Sequence, residues 1–182
     1  GAPLSMPGMM ETILNLGLND RSVAGLAKKT GNRRFALDAY RRFIMMYGST
    51  AKGIDREEFN HAFEALKNGR TRQRLAIPSH VKVNDTDVDE NELQELVGQF
   101  KAIYQKNIGR EFPQDPKEQL WGSVDAVFGS WMAEKAVTYR RVEKLTGVGG
   151  TAVNVQQMVF GNMGPKSGTG VCFTRDPNSG EN

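Results

Sequence analysis

The sequence predicts an α+β chain: a predominantly helical middle flanked by pieces of mixed or antiparallel sheet. Two observations carry this. Apolar residues recur at helical spacing through residues 21–147. The period then changes, because Thr151–Phe160 alternates and is rich in β-branched residues, and Val171–Arg175 follows a glycine-rich connection. With 182 residues, 38% hydrophobic and 25% charged, the chain has the composition of a globular domain able to bury a core.

Residues 1–20 read as a glycine loop and a strand. Ser5-Met6-Pro7-Gly8-Met9-Met10 carries turn chemistry, and Glu11–Gly17 reads as extended. In residues 21–147, Asn32 precedes a stripe of Phe35, Ala39, Phe43 and Met46, widened by Tyr40, Ile44 and Tyr47 and stopped by Gly48. Asp55 caps a second helix carrying Phe59, Phe63 and Leu66, with Gly69 as its end. Residues 70–88 contain Pro78, lack a period and read as a loop. Asp89 with Glu92 caps a stripe of Leu93, Leu96, Val97, Phe100, Ile103 and Tyr104, closed by Gly109. Asp115-Pro116 then starts a helix whose pattern runs to Leu145, roughly 29 residues and about 43 Å long. Residues 148–182 read as a β-hairpin. Thr151–Phe160 and Val171–Arg175 would pair across Gly161–Gly170, and Asp176-Pro177-Asn178-Ser179-Gly180 is the following turn. No fixed-period repeat is present.

Several function classes are disfavoured. Twenty-four basic against 21 acidic residues, net +3, make no nucleic-acid footprint. No apolar run approaches the roughly 20 residues of a membrane span. The single cysteine, Cys172, excludes a disulfide framework and reads as a buried structural thiol. His61 and His80 lack partners at metal spacing and read as surface residues. The arginines at 33–34, 41–42 and 70–74 read as solvated faces, and the methionine pairs at 9–10 and 45–46 as core filler. No secretory signal is recognisable. The opening in mid-motif without Met, and the turn-like close at Asn178–Asn182, lead us to expect a fragment.

Three segments could carry chemistry. Ser5, Gly8 and Thr12 flank backbone able to approach an anion closely, although no Gly-Lys-Ser/Thr of a Walker loop follows; a plain surface turn is the simpler account. Gln156-Gln157-Met158-Val159 at a strand end could read an adenine edge and sandwich its ring, or be an ordinary buried strand. Arg175 could clamp a phosphate or form a surface ion pair.

Taken together, the blocks Ser5–Leu18, Thr30–Gly48 and Gly150–Pro177 resemble the pyruvate, phosphate dikinase family, in the family's order and across nearly the whole chain. The resemblance implies part of an ATP-grasp nucleotide-binding domain. It implies that Ser5, Gly8, Met9 and Thr12 are ATP phosphate-loop positions, that Gln156, Met158 and Val159 lie on the adenine side, and that Arg175 is a possible phosphate contact. The family interconverts ATP, phosphate and pyruvate with AMP, pyrophosphate and phosphoenolpyruvate. It uses Mg²⁺ and a phosphohistidine carried on another domain. Its essential lysine and an arginine would precede Gly1, and its metal-binding acids, with a Gln and an Arg of the phosphate site, would follow Asn182. This piece is therefore expected to hold no catalytic or metal residue and to be inactive alone. Partners implied are ATP, the phosphohistidine and pyruvate domains, and a second copy in a homodimer, with no nucleic acid or membrane. A cytoplasmic location is implied, or an organelle as in some relatives. The alternatives are phosphoenolpyruvate synthase or a related dikinase, and a helical protein-interaction module.

Overall fold

The computed structural model describes residues 2–4, 6–176 and 178–181. Gly1, Ser5, Pro177 and Asn182 lie outside the described residues, so the phosphate-loop position assigned to Ser5 and the Pro177 of the last turn have no structural account.

Most of the longer helices begin where a side chain answers free amides. In α1 (Asp20–Thr30), the Asn19 side chain accepts from Arg21 N and Ser22 N, the Ser22 hydroxyl accepts from Asn19 N, and Gly31 ends the helix at φ +64°. The Asn32 side chain starts α2 (Arg33–Met46) by accepting from Phe35 N. Asp55 starts α3 (Arg56–Leu66), and Arg72–Arg74 forms a short α4. Asp89 and Glu92 form a reciprocal box at the head of α5 (Glu90–Ile108), which Gly109 ends at φ +77°. Asp115 and Pro116 start α6 (Pro116–Ser130), and α7 spans Glu134–Val142.

The core sits around α2, which packs against α1 and α5, while α3 also packs against α5. Phe43, Ile44, Tyr47, Phe59, Leu93, Leu96, Phe100 and Tyr104 are all completely enclosed. Phe112 is the hub of an aromatic cluster, with ring centroids 5.3 Å from Tyr104, 5.6 Å from Phe43 and 5.8 Å from Tyr47. Two glycines permit this packing. A Cβ on Gly48 would stand 2.8 Å from the Phe59 ring, and one on Gly122 would collide with the Tyr47 hydroxyl.

Buried charge beside the core is paired. Arg41, 3% exposed, meets Asp38 at 2.8 Å. Lys67, 4% exposed, meets Glu64 at 2.6 Å and Asp85 at 2.9 Å. Both cations lie over the Phe63 ring, at 4.2 and 4.9 Å. Arg74 binds the buried Glu92. The arginine face expected to be solvated therefore contributes Arg41 to the interior, where the carboxylates offset the cost of desolvation.

The structure corrects several expectations. Among the described residues there is no strand, so the fold is helical and not α+β with a flanking sheet. Residues 151–160 belong to no regular element, and among the described residues none of their backbone groups bonds to the backbone of another segment. A strand exists only as one side of a ladder, and alternation along one segment cannot supply the other side. Gly161 does approach Gly168 and Thr169 closely, so the chain reverses there without forming the expected hairpin. Cys172 is exposed, because the sheet expected to bury it is missing. Neither Gly48 nor Gly69 stops its helix. The chain continues through π-helical turns at Tyr47–Ala51 and Lys67–Thr71, the second leading into α4. The long helix expected from Pro116 to Leu145 breaks after Ser130. Trp131, Met132 and Ala133 make tighter i→i−3 bonds, Ala133 turns extended, and the Arg140 guanidinium of α7 stacks at 3.9 Å on Trp131.

Candidate functional site

A cleft of about 1060 Å³ opens beside the helical body. Residues 10–18 form one wall and the strap 151–160 another. The floor is the α1 face Ser22, Gly25, Leu26 and Lys29, at helical spacing, together with Leu120, Ser123, Val124 and Val127 of α6. A smaller hollow of about 230 Å³ lies where Leu14 and Asn15 approach Phe35, Arg42 and the strap at Met158–Asn162.

Specific bonds hold the walls. Gln119 of α6 is fully buried; its Oε1 accepts from Gly17 N at 3.0 Å, and its Nε2 donates to Leu18 O at 2.9 Å and Pro113 O at 2.8 Å. Glu11 N donates to Ser130 Oγ at 3.2 Å, and the Glu11 carboxylate pairs with Lys135. The strap is held mainly at its end, where the Phe160 ring meets Phe35 edge-on at 5.0 Å and Asn32 Nδ2 donates to Met163 O at 3.4 Å.

The lining is mainly apolar, with a few polar groups, as in many small-molecule sites. Among the described residues that line it, the charged ones are Glu11, already paired, and Lys29, for which no ion pair is described. The residues suit a ligand with an apolar body and a polar or anionic end. They do not suit a metal: among the described residues no group of three His, Cys, Asp or Glu comes together. Among the described residues, no helix is long and apolar enough to cross a membrane.

The structure brings Thr12, Gln156, Met158 and Val159 to this one cleft, although they are more than 140 residues apart in the chain. Gly8, at φ +73°, and Met9, whose amide donates to Met6 O at 3.1 Å, form the preceding turn and do not line it. Arg175 is elsewhere, its Nη1 reaching Gly180 O at 3.4 Å. His61 and His80 are exposed. The sequence reading missed Gln119, Gly25 and Lys29. A glutamine inside an apolar stripe and a glycine inside a capped helix were the signals available for the first two.

Comparison with known proteins gives a consistent result. The family model described as pyruvate phosphate dikinase, AMP/ATP-binding domain, matches residues 2–182. The chain is 52% identical over 182 residues to a pyruvate, phosphate dikinase of Clostridium symbiosum, covering 100% of this chain and 20% of that one. It is 51% identical over 181 residues to the chloroplastic pyruvate, phosphate dikinase 1 of Arabidopsis thaliana and to that of Zea mays, covering 18% of each. It thus spans about a fifth of the length of these relatives.

Proposed function

The chain belongs to the family of pyruvate phosphate dikinase AMP/ATP-binding domains, and from that premise we propose that its cleft is the base-and-ribose part of an ATP site. The observation that carries the proposal is the meeting of Thr12 with Gln156, Met158 and Val159 in one mainly apolar cleft. Met158 and Val159 would flank the adenine ring, and Gln156 would bond its polar edge. Thr12 would mark the exit towards the phosphates, which the loop carrying Ser5, Gly8 and Met9 would cover, with Arg175 as a further contact. The residues from 1 to 182 would be a partial nucleotide-binding domain, divided at about 20 and 147.

In the whole enzyme, this chemistry would serve the interconversion of ATP, phosphate and pyruvate with AMP, pyrophosphate and phosphoenolpyruvate. Phosphoryl transfer asks for positioning and charge neutralisation more than for covalent chemistry. This chain would bind the base, orient the triphosphate and exclude water from one side. Mg²⁺ would supply charge neutralisation when it arrives with ATP. The phosphohistidine, the pyruvate site and the second subunit of a dimer would lie beyond this chain, in the cytoplasm or an organelle. The matched relatives are named as pyruvate, phosphate dikinases, which favours this reading over phosphoenolpyruvate synthase or an interaction module.

The test is calorimetric titration of the chain with Mg·ATP, paired with photolabelling by 8-azido-ATP and mapping of the adduct. Submillimolar binding, weakened about tenfold in Gln156→Ala, and labelling within 151–160 are expected. Binding unaffected by Gln156→Ala, with labelling elsewhere, would overturn the reading.

A further inference from the structure

Gly25 stands inside α1, six residues from the Asn19 cap and six from the Gly31 stop. Glycine is a poor helix former, so an interior glycine calls for a reason. The backbone does not supply one, since Gly25 is not among the positive-φ residues. Packing does not supply one either, because a Cβ built there meets no atom within 4 Å. Gly48 and Gly122 differ in this respect: in each a Cβ would collide with an aromatic side chain. What sets Gly25 apart is its place on the floor of the large cleft, beside Leu26. Gly98 of α5 is a natural control. It too is an interior helical glycine with open space around its Cβ, but it lines neither hollow.

We infer that Gly25 is a specificity-determining position: the missing side chain leaves the berth in which the flat apolar part of the ligand, the base of a nucleotide, lies against Leu26. The inference rests on reading the cleft as a nucleotide site. It assigns to α1, as well as the strap, a share in selecting the base.

Four variants test it: Gly25→Ala, Gly25→Leu, Gly98→Ala and Gly98→Leu, each titrated with Mg·ATP and with adenosine and melted thermally. Both alanine variants should melt about 2–4 °C above the parent, since better helix propensity is gained and no clash is made. Gly25→Leu should weaken ATP and adenosine alike by tenfold or more, Gly25→Ala by about threefold, and the Gly98 variants by neither. Gly25→Ala melting below the parent would overturn the inference, because the glycine would then serve packing. So would unchanged affinity in Gly25→Leu, with the nucleotide reading left standing. Loss for ATP with adenosine spared would place the phosphates, not the base, at position 25 and would also overturn it. A parent that binds neither ligand would remove the nucleotide reading itself, and this inference with it.

Discussion

Two regions of the molecule obey different rules. In the helical body, from Asp20 to Ile108, caps answer the helix ends, and α2 is buried along most of its length. In the strap and the residues after it, side chains with the same apolar character stand in the open: Val159 is 90% exposed, Val171 82% and Phe173 66%. Helical hydrogen bonds close within a segment, so the body satisfies its backbone from its own sequence. An extended segment cannot, and its apolar residues gain nothing until a partner covers them.

The sharpest test of that contrast is one aromatic truncated in each region. Phe100→Ala, in the body, should lower stability by about 3–5 kcal/mol, because it removes a wholly buried ring and leaves a cavity. Phe173→Ala should change it by less than about 0.5 kcal/mol. Urea titrations of both would decide, and equal losses would erase the distinction between the regions.

A smaller effect is expected where the regions are joined. Gln119→Leu keeps the volume but strands Gly17 N, Leu18 O and Pro113 O, and should cost about 1–3 kcal/mol. The same variant should speed amide exchange in residues 10–18 while leaving α5 protected. Uniformly faster exchange would mean that Gln119 belongs to the core and not to the joint.

The smallest effect is electrostatic and confined to the body. Burial alone would raise the carboxyls of Asp85 and Glu92. The bonds from Lys67 to Asp85 and from Arg74 to Glu92 outweigh it, and both carboxyls titrate below their ordinary values. Groups depressed on folding contribute stability above their unfolded pKa and lose it as pH falls through the folded one. Stability should therefore decline on acidification below about pH 4.5, and Glu92→Gln should flatten that slope. An unchanged slope in the variant would assign the acid sensitivity to other carboxylates.

What could be read from the sequence follows the same division. The caps at Asn32, Asp55, Asp89 and Asp115 and the stop at Gly109 were legible, because each acts within four residues of its own position. The helix behind Asn19 was missed because its stripe is interrupted by Gly25 and flanked by charge. The break at Ser130 was hidden by apolar residues that continue the period while i→i−3 bonds close the turn. The sheet was the largest error. Alternation at 151–160 was visible, but whether a second strand lies beside it is a long-range fact. For the cleft, Thr12 and 156–159 were identified from their motifs, whereas the α1 and α6 faces that complete it bear no motif.

Gln119 also bears on the order in which the molecule can assemble. The α1–α2 pair of the body forms between neighbours in sequence, but the bond from Gly17 to Gln119 closes a loop of 102 residues. Closing a loop about tenfold longer costs about 2 kcal/mol more in chain entropy. That cost is met most readily once the intervening helices have folded and shortened the path between the two ends. The wall at residues 10–18 is then set on α6 late, after the helices between them have formed.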